Sequence, residues 1–231
     1  HAISCKVRVR AAMTSWIGRN KNDYFVTLAM TDGLKSALET GALAALISRA
    51  VTSGKGLPPV ESWNPPFCGD IDMTIKADGT WFYMGTPIGR APLVRLFSTV
   101  LRRDEDGKTY LVTPVEKVGI TIEDAPFVAV EMAREGEGAA QTLTFRTNVG
   151  DVAEAGEEHS LRFKLDPANH GLKPYLHIRG RLEALVARPV MYDLVALGEE
   201  IEHRGAVWFA VRSGGVTFPI MNAAQLKEIS L

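Results

Sequence analysis

The stretch IDMTIKADGTWFYMG, residues 71–85, decides the fold of this chain. Ile71, Met73 and Ile75 alternate with polar residues, which is the two-residue period of a strand with one buried face. An Asp-Gly pair follows at residues 78–79, and glycine there tolerates the positive φ that a tight hairpin turn needs. The aromatic run that comes next predicts the returning strand, so the stretch indicates a β-hairpin.

A helix is predicted after the hairpin, and a further strand after the helix. Pro92 suits the first turn of a helix. The helix is expected to end at Arg102 and Arg103, because basic side chains are favoured at the negative end of the helix dipole. An acidic turn then leads to a strand at residues 110–112. The apolar residues of the helix recur at helical spacing: Leu93, Leu96, Phe97, Val100 and Leu101.

The same order of elements recurs near the C-terminus. An alternating strand begins at Leu161, 90 positions after its counterpart, and Pro189 opens a second helix, 97 positions after Pro92. The offset grows steadily, as longer connections in the second copy would make it. The second helix is expected to end at Gly198, before a strand at residues 207–210. The recurrence indicates an internal repeat of pattern, with little residue identity between the copies.

These elements predict a strand-rich α+β protein. Its expected core is two related β-hairpin–helix–strand modules, β-roll-like and packed together, preceded by an N-terminal helix. Further strands are predicted between the copies, at residues 118–122, 127–132 and 142–147. The expected divisions are a disordered or non-native extension over residues 1–29, the N-terminal helix over 30–56, a β-roll-like module over 57–132 and an α+β module over 133–231.

Composition bounds the classes of partner and the compartment. The 26 basic and 27 acidic residues give a net charge of −1, so neither nucleic acid nor an anionic membrane is an expected partner. The strongly apolar run at residues 42–47 is far shorter than the roughly 20 residues that a membrane-spanning helix needs. The chain is therefore expected to be cytoplasmic. Cys5 and Cys68 are expected to be free thiols of a reducing compartment.

The usual signatures of catalysis and of cofactor binding do not occur in the sequence. There is no GxSxG elbow, no CxxC pair, no P-loop and no GxGxxG, and the five histidines form neither HxH nor HxxxH. A catalytic nucleophile needs a base to orient it, and no spacing selects a histidine for Cys68. No catalytic residue, metal ligand or cofactor is therefore predicted.

Polar residues around the first helix remain as candidates for binding a ligand. Asp70 and Asp72 are two positions apart on a strand and therefore share its exposed face. Such a pair binds a hard cation if other oxygens join it, and otherwise forms a solvated surface. Arg90 and Arg95 are placed near the start of the helix, where unpaired N–H groups and a positive potential suit an anion.

Two further candidates follow Pro114. Glu116 and Lys117 are expected to take part in a salt bridge at the surface or between the modules. Because neighbouring strand residues point to opposite faces, only one of the two side chains is expected to point inward. The aromatic residues of the hairpin and helix are assigned to packing. Any ligand site is expected where the two modules meet, with most of its residues from the first.

Three segments resemble a known family. PPVESWNP, DGTWFYMGTPIGR and YLVTPVEK, all within residues 57–127, resemble the N-terminal half of the uncharacterised proteobacterial family DUF1285, a domain of unknown function. The segments HIRGRLEALVARPVMYDLV and WFAVRSGG resemble its C-terminal half more loosely. The resemblance covers residues 34–230. It implies a two-part α+β protein with repeated motifs and a link to signalling, and it implies no reaction, cofactor or catalytic residue.

Three functions are consistent with these observations. The favoured hypothesis is a non-enzymatic regulatory or signalling protein that binds a small molecule or a partner protein. The alternative is an enzyme of unrecognised type, hydrolase-like, that uses Cys68 or the pair of Asp70 and Asp72. A second alternative is a structural or oligomerisation module. The sequence leaves the ligand and the oligomeric state open.

Overall fold

The computed structural model describes residues 56–166 and 171–224. The chain divides into two compact units, the first ending at Glu123 and the second beginning at Asp124. The predicted N-terminal extension lies outside the described residues, as does the predicted helix over 30–56 except for its last residue. In the described ranges no helix is long and apolar enough to cross a membrane.

In its described part, residues 56–123, the first unit is a six-stranded sheet with one α-helix. Its strands lie in the order β3-β2-β1-β6-β5-β4. Two antiparallel meanders of three strands make up this sheet, and the parallel pairing of β1 with β6 joins them. After a one-turn 3-10 helix at Val60–Ser62, the elements are β1 (Phe67–Ile75), β2 (Trp81–Tyr83), β3 (Thr86–Pro87), α1 (Ala91–Ser98), β4 (Leu101–Arg103), β5 (Thr109–Val112) and β6 (Lys117–Ile122).

The predicted hairpin is confirmed as β1 and β2. Ile75 pairs with Trp81 across the two strands, and both side chains are buried. The turn between them uses Gly79 at φ +83°, and the Asp78 carboxylate accepts a hydrogen bond of 2.9 Å from the Thr80 N–H. The indole of Trp81 stacks on the ring of Phe97 at 6.3 Å between centroids, which fixes α1 against the sheet.

The predicted end of the first helix is wrong. Helix α1 ends at Ser98, and Leu101 belongs to β4, where it pairs with Leu111 of β5. Arg102 and Arg103 are therefore strand residues and do not lie in the last helical turn. The error has a physical cause, because Val100 and Leu101 are buried in any case, and a short apolar run fits a buried strand as well as a helix.

The described part of the second unit contains two sheets, with the helix α2 between strands β12 and β13. A six-stranded sheet has the order β10-β11-β12-β7-β8-β9, with β12 parallel to β7, and a three-stranded sheet has the order β13-β14-β15. The elements are β7 (Phe127–Glu135), β8 (Thr142–Thr147), β9 (Val152–Glu154), β10 (Leu161–Leu165), β11 (Leu172–Arg179), β12 (Leu182–Val186), α2 (Arg188–Ala196), β13 (Glu199–His203), β14 (Ala206–Ser213) and β15 (Val216–Asn222), with a 3-10 turn at Gly138–Ala140.

The predicted internal repeat is confirmed, and each copy is longer than predicted. Both units contain a three-stranded meander, a helix and a second three-stranded meander: β1 to β6 around α1, and β10 to β15 around α2. In each copy the first strand also lies next to the last: β1 pairs with β6, and β10 contacts β15. The meander β7–β9 precedes the second copy. The sequence pattern predicted only a hairpin and one strand per copy, because β3, β4, β12, β13 and β15 carry no clear alternation.

Ser213 connects two sheets of the second unit, and its hydroxyl is expected to matter for stability. It is fully buried, donates to the Ala155 carbonyl at 2.6 Å and accepts from the Leu143 N–H at 2.8 Å. Ser213→Ala leaves both backbone groups without this partner. A loss of about 1–3 kcal/mol in the free energy of unfolding is expected, measured by urea denaturation. The exposed Ser160→Ala is the control and is expected to change stability by less than about 0.5 kcal/mol.

Candidate functional site

Strand β1 is irregular where it runs beside β6. Phe67 pairs with Lys117 and Asp70 with Gly119, so β1 advances three residues where β6 advances two. A second irregularity follows before Thr74. Gly69, at φ +97°, allows the first of these bends, since a left-handed backbone suits glycine. Bulges of this kind re-aim a side chain, and here they direct the Asp70 carboxylate over β6.

Gly119 leaves the space that the Asp70 carboxylate occupies. A Cβ atom at Gly119 would lie 2.0 Å from Oδ1 of Asp70 and 3.6 Å from Cε1 of Tyr110. Any other residue at this position would therefore displace the carboxylate. Asp70 is exposed, and no residue within the described ranges donates a hydrogen bond to its side chain. The strand bulge and the glycine thus hold an unpaired carboxylate beside an aromatic ring.

Two aromatic rings and a lysine complete this surface. The ring of Phe67 meets that of Tyr110 edge-on, with 5.8 Å between centroids and 83° between planes. The ammonium group of Lys117 lies 4.5 Å from the centroid of the Tyr110 ring. Tyr110 is buried, whereas Phe67 is 54% exposed. We call this surface the Phe67 face: Phe67, Asp70, Tyr110, Lys117 and Gly119.

A buried ion network adjoins the Phe67 face on the same side of the sheet. Arg102, which pairs with Tyr110 across β4 and β5, is only 8% exposed. Its Nε donates to Oδ1 of Asp104 at 2.6 Å, and its Nη1 donates to the carbonyls of Val60 and Trp63 at 2.8 and 2.7 Å. Lys117 donates to Oδ2 of Asp104 at 2.7 Å. The network ties the segment before β1 to the sheet and fixes the Lys117 ammonium.

The charges of this network determine the ionisation of Asp104. Burial opposes the charged form of this carboxylate, but the hydrogen bonds and positive charges of Arg102 and Lys117 outweigh burial. Together they hold the pKa of Asp104 below its ordinary value. Asp104 is therefore ionised at neutral pH and forms ion pairs with both Arg102 and Lys117.

Tyr110 lies in a negative environment. Its hydroxyl donates to Oδ2 of Asp106 at 2.6 Å. This hydrogen bond, then burial, then the negative charges of Asp106, Asp104 and Asp70 raise the pKa of Tyr110 to about 12. The same hydrogen bond holds the pKa of Asp106 below its ordinary value. The phenol is neutral at neutral pH and acts as a donor.

This shift predicts a loss of stability at high pH. The ordinary tyrosine pKa is 10.0, so the unfolded chain loses this proton first as the pH rises. The contribution of Tyr110 is complete below pH 10 and is expected to disappear between pH 10 and about 12. Urea denaturation across this range measures it, with Tyr110→Phe as the variant that shows a weaker pH dependence. If the free energy of unfolding of Tyr110→Phe fell with pH as steeply as that of the wild-type chain, the expectation would be contradicted. Tyr175, whose pKa is also raised to about 12, provides the matched comparison in the second unit.

The structure brings two of the predicted site residues together, Asp70 and Lys117. Asp72 is exposed, and its carbonyl accepts a hydrogen bond from the Met84 N–H. Lys117 forms its ion pair with Asp104 rather than with Glu116. The Glu116 side chain is half-buried, and burial raises the pKa of its carboxyl.

The two arginines lie at opposite ends of α1. Arg90 precedes the helix as its N-cap residue, is exposed and makes no capping hydrogen bond with its side chain. Arg95 falls in the last turn, and not near the start, because the helix is shorter than predicted. Only Arg90 is therefore placed where the N–H groups of the first turn face a ligand.

Several residues of the Phe67 face and its network are absent from the sequence-based candidates. Phe67 was expected in an irregular segment and was given no role, and Tyr110 and Arg102 had been assigned to a strand and to a helix end. The sequence contained one signal for the pairing of Arg102 with Tyr110. The two residues flank the acidic turn symmetrically, so they pair across a hairpin if residues 102–103 form a strand. The close approach of Asp70 to Gly119 depends on the register of a parallel pair distant in sequence, which no local pattern shows.

Two further predictions concern metal ions and thiols. Within residues 56–166 and 171–224, no group of three or more His, Cys, Asp or Glu side chains is arranged to hold a metal ion. The expectation of a free thiol is wrong for Cys68, which is disulfide-bonded. Cys68 is only half-buried at the start of β1, and an accessible thiol is open to oxidation.

Comparisons with known proteins agree with the resemblance seen in the sequence. The model of the domain of unknown function DUF1285, N-terminal domain, matches residues 58–125, and that of the DUF1285 C-terminal domain matches residues 126–220. Comparison with curated proteins finds no match.

Two solved structures are similar to the chain. The crystal structure of a DUF1285 family protein from Silicibacter pomeroyi DSS-3 shares 54% identity over 75% of this chain and 92% of that one, with a TM-score of 0.70. A DUF1285 family protein from Shewanella baltica OS155 shares 29% identity over 54% of this chain and 90% of that one, with a TM-score of 0.42.

Proposed function

This chain belongs to the DUF1285 family, whose description assigns no activity, and we propose from the geometry of the first unit that it is a non-enzymatic binding protein with a regulatory role. In this proposal a partner protein binds to the Phe67 face. The role in regulation or signalling rests on the absence of a recognised catalytic motif and on the family resemblance.

The exposed ring of Phe67 is the observation that supports this proposal. More than half of its surface is open to solvent although it lies in a strand next to a buried tyrosine. Its edge-on contact with Tyr110 favours one orientation of the ring, which reduces the side-chain entropy lost on binding. Aromatic residues held rigidly at a surface and surrounded by polar groups are typical of the positions that contribute most to protein–protein affinity.

The hydrolase alternative has less support. Cys68 is disulfide-bonded, and residues 56–123 contain no histidine to act as its base. Asp70 and Asp72 are both exposed, whereas catalytic carboxylates are typically enclosed in a cleft. An enzyme of unrecognised type would need a site outside these residues.

A comparative pull-down tests the proposal. The immobilised full chain and its Phe67→Ala variant are exposed to the same lysate, and bound proteins are quantified by mass spectrometry. A specific partner is expected to bind the wild-type chain and to be depleted at least about tenfold with Phe67→Ala, as for a residue that contributes strongly to affinity.

Val152→Ala provides the matched control, because Val152 is 65% exposed and lies in β9 of the second unit. Proteins that bind through general hydrophobicity should decrease equally with both variants. A set of bound proteins unaffected by Phe67→Ala would refute the use of the Phe67 face. A thermal-shift screen with metabolites and nucleotides then tests binding of a small molecule elsewhere on the chain.

A further inference from the structure

We propose that the Phe67 face binds a cationic side chain of a partner protein, an arginine or a lysine, between the Asp70 carboxylate and the exposed ring of Phe67. This inference rests on the proposed binding function and specifies the chemistry of the partner. The occupant is a basic segment of another protein, one of whose guanidinium or ammonium groups pairs with Asp70.

The hydrogen-bond partners of the carboxylates around the face favour a cation at Asp70. Arg102 and Lys117 are both paired with Asp104, and Asp106 accepts the hydrogen bond of Tyr110. Asp70 adds a third carboxylate that has no hydrogen-bond donor among the described residues. Among the described residues Asp104 and Asp106 already accept hydrogen bonds from side chains, so Asp70 is the carboxylate of this surface that stays open to a partner. An anionic partner would have to approach this unpaired carboxylate, which is unfavourable.

The geometry of the face adds selectivity for a planar cation. The Asp70 carboxylate lies over Gly119 beside the bulge in β1 and is exposed, so it can accept a hydrogen bond from a guanidinium group. The ring of Phe67 lies against the same tyrosine that Asp70 approaches. An aromatic face beside a carboxylate attracts a cation through both charge and the ring quadrupole.

The face also explains why Gly119 matters. Gly119→Ala would place a methyl group at the position of Oδ1 of Asp70. Because this oxygen is the end of a side chain that can rotate away, the variant is expected to fold while displacing the carboxylate. The variant keeps the charge of Asp70 but moves it. It therefore tests whether binding depends on the position of the carboxylate.

A titration of the full chain with model peptides tests the proposal. The probe is an acetylated and amidated peptide of eight arginines, and a peptide of eight glutamates is its counterpart. Binding is followed by the backbone amide resonances of the ¹⁵N-labelled protein. The arginine peptide is expected to shift the amides of Gly119 and Lys117. Asp70→Asn and Gly119→Ala are each expected to weaken binding about tenfold, and Phe67→Ala about threefold to fivefold.

Glu137→Gln is the charge-matched control, because this side chain is 91% exposed in the second unit. It removes the same charge as Asp70→Asn and should weaken binding less than about twofold. Equal losses with the two variants would show general attraction of a polycation and would overturn the inference. If the glutamate peptide shifted the amide resonances of the Phe67 face, the inference that the face prefers a cation would be overturned, while the proposed binding function would stand.

Two other outcomes would also overturn the inference. Shifts of the Phe67 face that depend on protein concentration, with no peptide present, would assign the face to a second copy of the chain. No shift of the face with either peptide would reject the cation site, and the binding function would then be judged on the pull-down alone.

Discussion

Replacing Arg102 with alanine is expected to lower the free energy of unfolding of the first unit by about 3–5 kcal/mol. The guanidinium group is almost fully buried and satisfies two backbone carbonyls as well as Asp104. Its removal leaves those carbonyls unpaired and leaves Asp104 with Lys117 as its one remaining cationic partner in the described residues. The cost is large because two buried carbonyls lose their donor and a partly buried carboxylate loses one of its two cationic partners.

Arg103→Ala is the matched control for this prediction. Arg103 is exposed, on the same strand, with one hydrogen bond of 3.2 Å to the Gly107 carbonyl, so its loss should cost less than about 1 kcal/mol. Unfolding in urea can be followed by the fluorescence of Trp63 and Trp81, which belong to the first unit. Similar stabilities of the two variants would show that the network is not required for stability.

Phe127→Ala is expected to destabilise the second unit by about 3–5 kcal/mol, the cost of deleting a large buried aromatic side chain. Phe127 is fully buried at the start of β7, where it pairs with Ala184 of β12 in the parallel junction of the sheet. The guanidinium group of Arg179 also lies over its ring, 4.8 Å from the centroid. The substitution removes the packing and the cation–π contact together.

Phe127→Leu separates these two contributions. Leucine keeps much of the buried volume and loses the ring, so a smaller cost of roughly 1–2 kcal/mol is expected. Unfolding can be followed by the fluorescence of Trp208 in the second unit. A cost for Phe127→Ala below about 1 kcal/mol would mean that β7 and β12 pair without this residue as an anchor.

The features that the sequence predicts well are those encoded in neighbouring residues. The hairpin of β1 and β2 follows from strict alternation and an Asp-Gly turn, and α2 follows from its proline and from Gly198. The recurrence of these signals sufficed to predict the internal repeat. The end of α1 could not be predicted, because Val100 and Leu101 satisfy both helical and strand burial.

The candidate site was less accessible to sequence reasoning than the fold. Asp70 and Lys117 were recognised as polar residues in suitable places, but their arrangement depends on how β1 pairs with β6. That pairing contains two irregularities, and no local rule specifies where extra residues enter a strand. The burial of Arg102 depends on the chain around Trp63 folding over β4, which is likewise a long-range event.

The parallel pairing of β1 with β6 has a consequence for how the first unit forms. Among the described residues of the unit, β1 is the first strand and β6 is the last, so the two halves of the sheet join only when the chain from β1 to β6 is available. Each meander can form from residues close in the chain, whereas this junction closes a long loop and should be the slow step of folding. A chain still emerging from the ribosome presents β1 as an open edge until β6 appears.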